Sequence, residues 1–159
     1  MKRLLILSLI LSIAASAYPQ RWEKNEMDEF TGELVRITSK ENVTGNLFYK
    51  KFSIAQNEDY FFLRVHHSGG SKTPICKNAE SQIILKFISG ETLTLMPTDD
   101  IDCDRNMTII YHLTLADMQL LKVNQIEKFR IYYTEGYLDQ KCSKPDYFTR
   151  TLALFSKSE

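Results

Sequence analysis

The sequence predicts a mainly β fold, an antiparallel sandwich or a curled, barrel-like sheet, with one short helix between the late strands. Three observations carry this. Residues 60–67, YFFLRVHH, set Phe61, Leu63 and Val65 on one face and Tyr60, Phe62, Arg64 and His66 on the other. Residues 81–97, SQIILKFISGETLTLMP, read as a hairpin, and residues 125–134 read as a long strand with Ile126, Phe129, Ile131 and Tyr133 directed to the core. Antiparallel sheets bury one face and wet the other, which suits this alternation.

Taken in order, residues 18–30, YPQRWEKNEMDEF, are mostly polar with no clear period and read as an N-terminal lead-in segment. Residues 34–38 and 47–54 are β-rich runs separated by the turn formers Thr44-Gly45-Asn46, and Gln56-Asn57-Glu58-Asp59 is a polar break before 60–67. In the hairpin, a two-residue loop at Ser89-Gly90 would place Leu93 opposite Lys86. A three-residue loop, Ile88-Ser89-Gly90, instead sets Leu85 opposite Leu93 and Ile83 opposite Leu95. Because a one-residue slip reverses every side chain, the apolar pattern selects the second register and puts Gly90 where a left-handed residue is needed. Residues 107–113 form another strand. Thr114 then suits the N-cap of a helix with Asp117 in its first turn, Lys122 in its last, and Leu115, Met118 and Leu120 or Leu121 inward. Residues 136–145 look looser. At the end, Asp146 could cap a helix with Phe148, Leu152 and Phe155 on one side, which competes with a final strand.

The N-terminus sets the expected compartment. Lys2 and Arg3, an apolar run from Leu4 to Ile13 and Ala15-Ser16-Ala17 have the order of a secretory signal peptide over residues 1–17, too short to span a bilayer. Residues 18–30 would then lead into a single β-rich domain over 31–159. Removing the signal leaves 18 basic against 20 acidic side chains, which gives no electrostatic drive toward nucleic acid. No second hydrophobic stretch suggests a transmembrane span. The expected destination is outside the cytoplasm: periplasm, cell surface or medium.

An oxidising compartment makes the three cysteines, Cys76, Cys103 and Cys142, candidates for one disulfide and one leftover thiol. Continuing the hairpin register outward brings Cys76 nearly opposite Cys103, and a bond between them would close a loop worth about 3–4 kcal/mol. Cys142 competes for either partner. If left over, it has Lys141 and Lys144 nearby, which could lower its pKa, but no neighbouring histidine as base, so a buried or simply unpaired thiol is the preferred reading.

Cys103 lies within PTDDIDCDRN, where Asp100, Asp102, Asp104 and Asn106 repeat the alternating spacing of a calcium loop. The motif is incomplete: Arg105 stands where glycine makes the sharp turn, and Tyr111 where a bidentate acid closes the site. A solvated turn is the competing reading, and no other cofactor is indicated. His66, His67 and His112 offer a zinc set only on paper, since neighbours on a strand point to opposite faces. No G-x-S-x-G, H-E-x-x-H or phosphate-cradling glycine loop occurs. Asn42-Val43-Thr44 and Asn106-Met107-Thr108 match the glycosylation acceptor, and Tyr49, Tyr60, Phe62 and Tyr132 could together form a stacking surface for a sugar or peptide.

The segments DEFTG and ITS, then ILKFISGETLTL, then YHLTLADMQLLKVNQIEKFRIYYTEG resemble a group of small exported β-rich proteins of unknown function from Bacteroidetes. The resemblance implies a bacterial periplasmic or surface-exposed domain, makes the glycosylation acceptors irrelevant and brings no catalytic residue with it. The expected function is a non-enzymatic binding or interaction module for a protein or carbohydrate ligand. The alternatives are a small enzyme using the acids of residues 99–104 and a calcium-stabilised structural domain.

Overall fold

The computed structural model describes residues 20–44, 50–67, 75–98, 102–104 and 106–156. The proposed signal peptide, residues 1–17, lies outside them. Twelve described strands form β1 (Trp22–Met27), β2 (Leu34–Thr38), β3 (Glu41–Asn42), β4 (Lys50–Asn57), β5 (Tyr60–His67), β6 (Ile75–Lys77), β7 (Ile83–Phe87), β8 (Thr92–Leu95), β9 (Asp102–Asp104), β10 (Thr108–Leu113), β11 (Ile126–Tyr133) and β12 (Gly136–Lys141). Helix α1 (Leu115–Val123) separates β10 from β11, and α2 (Tyr147–Phe155) closes the described chain.

The strands pair antiparallel in three sheets: β1-β2-β4-β5-β10 with β3 also on β4, then β12-β11-β7-β8, and the short pair β6-β9. The fold is mainly β and sandwich-like, and the described strands form no closed barrel. Phe52 of β4 meets Phe129 of β11 with ring centroids 5.1 Å apart, and this contact joins the inner faces of the two larger sheets. Around it Ile54, Leu63, Tyr111, Ile83, Leu85 and Ile131 are fully buried. Each such side chain contributes about 1.5–3 kcal/mol by leaving water, which offsets the entropy of ordering many short strands.

The β7–β8 hairpin has the predicted register, Ile83 opposite Leu95, Leu85 opposite Leu93 and Lys86 opposite Thr92. Gly90 takes φ +95°, a left-handed conformation that costs glycine little. Helix α1 also starts as expected: Thr114 Oγ1 accepts from Asp117 N–H at 3.1 Å, and Thr114 N–H donates to Asp117 Oδ2 at 2.9 Å. Leu121 is its buried residue, whereas Leu115, expected inward, is 74% exposed. Its place in the first turn puts it at the helix rim.

Four local expectations change. The lead-in segment contains strand β1, an edge strand on β2 whose single large anchor is Trp22, packed edge-on against Phe155 at 4.7 Å. Between Trp22 and the exposed Met27 its residues are charged or polar on both faces, which hides the period and protects the edge from pairing with another chain. Gln56 and Asn57 belong to β4, so the turn before β5 is only Glu58-Asp59, with Glu58 at φ 49°. The stretch read as loose after Gly136 is β12, an edge strand with little buried surface. Finally, residues 147–155 form a helix, with Phe148, Thr151, Leu152 and Phe155 inward, yet Asp146 makes no side-chain cap. Its carboxylate instead accepts from Arg150 Nε at 2.8 Å, while Arg150 and Lys144 both reach Glu41 of β3. These ion pairs tie the start of α2 to the first large sheet.

Candidate functional site

Cys76 and Cys103 are bonded to each other and sit directly opposite across β6 and β9, with Cα atoms 4.1 Å apart. Five residues separate β6 from β7, but six separate β8 from β9. That one extra residue shifts the pairing, so Cys76 faces Cys103 rather than Asp102, as a strict continuation of the hairpin would require. Cys142 is the free cysteine and is buried. Burial pushes its thiol above the ordinary range and outweighs the lowering by Lys144, and its Sγ donates to the Lys144 carbonyl at 3.3 Å.

Of the proposed calcium ligands, Asp100 lies outside the described residues. Asp102 and Asp104 flank Cys103 in β9, and Asn106 N–H donates to Asp104 Oδ1 at 3.3 Å, a local turn bond. Among the described residues no group of three His, Cys, Asp or Glu side chains is placed to hold a metal ion.

The histidines are spread over the first sheet. His112 lies opposite Phe62 on β5, its ring 5.7 Å from that of Phe62 and 6.1 Å from that of Tyr60. His66 is buried between two hydroxyls, Ser53 Oγ 2.9 Å from Nε2 and Thr108 Oγ1 2.9 Å from Nδ1. A serine held by an imidazole that a third group orients has the outline of a nucleophilic centre. Here Ser53 is fully buried, and desolvation, reinforced by Lys40, Arg64 and Lys51, lowers His66 to about 4. The trio acts as a satisfied polar element of the fold.

The proposed aromatic surface divides. Tyr49 is outside the described residues, Tyr60 and Phe62 lie on the outer face of the first sheet, and Tyr132 lies on the outer face of the four-stranded sheet. Beside Phe62 is a groove of about 320 Å³ lined by Ile37, Ala55, Arg64, Thr98 and Ile110. It is apolar apart from Arg64 and Thr98.

The outer face of the four-stranded sheet is built differently. Since Phe129 and Ile131 of β11 are buried, Lys128, Arg130 and Tyr132 point outward. The register then aligns three rows across the strands. Lys141, Lys128, Lys86 and Thr92 form the first, Asp139, Arg130, Ile84 and Thr94 the second, and Tyr137 with Tyr132 the third.

Arg130 is fixed at the centre of this face. It donates through Nε and Nη2 to the two oxygens of Asp139 at 2.6 and 2.7 Å, and its guanidinium lies 4.1 Å from the centre of the Tyr137 ring. The hydrogen bonds hold Asp139 below the ordinary carboxylate range and raise Arg130 further. Beside the pair is a shallow groove of about 160 Å³ lined by Ile84, Lys86, Thr92, Lys128, Arg130 and Asp139.

Sequence reasoning identified Tyr132 but missed this constellation. Its members come from three separate stretches, and only strand pairing brings them together. No protein-family model, curated protein or solved structure matches the chain.

Proposed function

We propose that this chain is an exported, non-enzymatic binding module whose ligand lies on the outer face of the four-stranded sheet. The observation that carries the reading is the fixed Arg130. Clamped by Asp139 and stacked on Tyr137, it holds a large aromatic ring in a set orientation while leaving that ring 59% exposed. Ligand binding to a surface already ordered loses less entropy than binding to a mobile one. Tyrosine adds an apolar ring and a hydroxyl, which suit the mixed chemistry of a sugar or a peptide.

Export is supported by the N-terminal pattern and by the Cys76–Cys103 disulfide, a bond that persists in oxidising compartments. No helix among the described residues is long and apolar enough to cross a membrane. The test is a glycan and peptide array probed with the folded chain and with Tyr137→Ala and Arg130→Ala variants. The expected result is a set of bound glycans or peptides lost in both variants while thermal unfolding remains cooperative. Array binding that both variants retain would move the site elsewhere.

A further inference from the structure

We propose that the ligand of this face is an acidic polysaccharide laid across the strands along the lysine row; this rests on the binding-face reading above. Lys141, Lys128 and Lys86 occupy directly opposed positions on three adjacent strands. Like charges so placed destabilise a sheet, and strand spacing sets them roughly 5 Å apart.

The row results from a β-bulge. At the start of β11, Ile126 pairs with Phe87, and continuing that register would set Glu127 opposite Lys86. The pairing instead shifts between Ile126 and Lys128, so that Lys128 faces Lys86. A Glu127–Lys86 pairing across two strands is thereby replaced by a run of three cations across three. Bulges recur where a side chain has been re-aimed for function.

The local acids neutralise this row only at Lys86. Glu127 reaches Lys86 at 3.3 Å, and both oxygens of Asp139 are engaged by Arg130. Lys128 and Lys141 have no carboxylate at salt-bridge distance among the described residues. They offer ammonium groups to an outside anion on a chain that, without residues 1–17, carries 18 basic against 20 acidic side chains.

The groove between the first two rows, about 160 Å³, is too small and shallow to engulf a small molecule. It suits one residue of a linear polymer passing over it. Thr92 and Thr94 supply hydroxyls on one side, and Tyr137 supplies a ring for the C–H face of a sugar on the other. Glu127 and Asp139 keep the face from the uniformly strong positive charge that nucleic acid favours. A polymer with spaced carboxylates and many hydroxyls fits better.

The test is isothermal titration of the full, disulfide-bonded chain with polygalacturonate, neutral dextran and poly(dT), repeated at rising salt. Polygalacturonate should bind, weaken as salt rises, and bind about tenfold more weakly to a Lys86→Gln/Lys128→Gln/Lys141→Gln variant. The variant's melting point should hold or rise, because like charges have been removed.

Failure of the acidic class and failure of the binding face give different results. Dextran bound in place of polygalacturonate, and lost with Tyr137→Ala, would overturn the acidic ligand and keep the face. Polygalacturonate bound equally by the lysine and Tyr137 variants would overturn both. Binding of poly(dT) alone, or of no probe, would overturn the acidic polysaccharide.

Discussion

Acidification from pH 8 to pH 4 should destabilise the fold by about 3 kcal/mol through His66 alone. The imidazole is buried between Ser53 and Thr108, with Lys40, Arg64 and Lys51 as positive neighbours, and its folded value lies near 4 against an ordinary 6.5. The folded state therefore holds the neutral ring, while the unfolded chain takes up a proton once the pH falls below 6.5. Stability is full above that pH, declines between 6.5 and 4, and shows no further loss from this residue below 4. A difference of about 2.5 pH units, at 1.36 kcal/mol each, gives the magnitude. Asp28 and Asp139 are lowered carboxylates, so their contributions are lost below about pH 4 and stay outside this window. The assay is urea unfolding at half-unit steps of pH, with the chain compared against His66→Gln. Whatever the variant's stability at pH 8, its curve should be flatter between pH 6.5 and 4 by most of the stated amount. Parallel curves for the two proteins would refute the reasoning.

Replacing Cys76 and Cys103 together by alanine should cost about 3–4 kcal/mol in denaturant unfolding, because the bond closes a loop of 26 intervening residues. Thiol titration of the unreduced chain in denaturant should find one reactive group, Cys142, which stays protected until the protein unfolds; three reactive groups would contradict the disulfide. Glu58 holds φ 49°, a conformation that costs an L-residue about 1–2 kcal/mol, so Glu58→Gly should raise stability by up to about 1 kcal/mol once the greater freedom of the unfolded glycine is counted. Thr114→Ala removes the hydroxyl that accepts from Asp117 N–H and should cost about 1 kcal/mol, read as a lower urea midpoint with an unchanged slope.

The hairpin register and the capped helix were legible because each is written locally. With a side-chain period of two, only one register buried Leu85 against Leu93, and the start of α1 needed only Thr114 and Asp117, three positions apart. Strand β1 was not legible, because an edge strand buries little and carries charge on both faces. The same holds for β12, whose inward side is only half-buried. At Cys142 the preferred reading, a buried or simply unpaired thiol, holds: burial outweighs the nearby lysines.

What the sequence alone determined is therefore the class of fold, the order of most strands, the hairpin with its glycine turn and the placement of Cys76 near Cys103, with Cys142 still competing for either. Tertiary structure decided which residues stand directly across from one another. One extra residue between β8 and β9 aligns the two cysteines, and one bulge at the start of β11 sets Lys128 opposite Lys86 instead of Glu127. The physical reason is that opposition across a sheet depends on the count of residues in both strands. A single insertion reverses which side chains share a face, and no local propensity marks where that insertion falls.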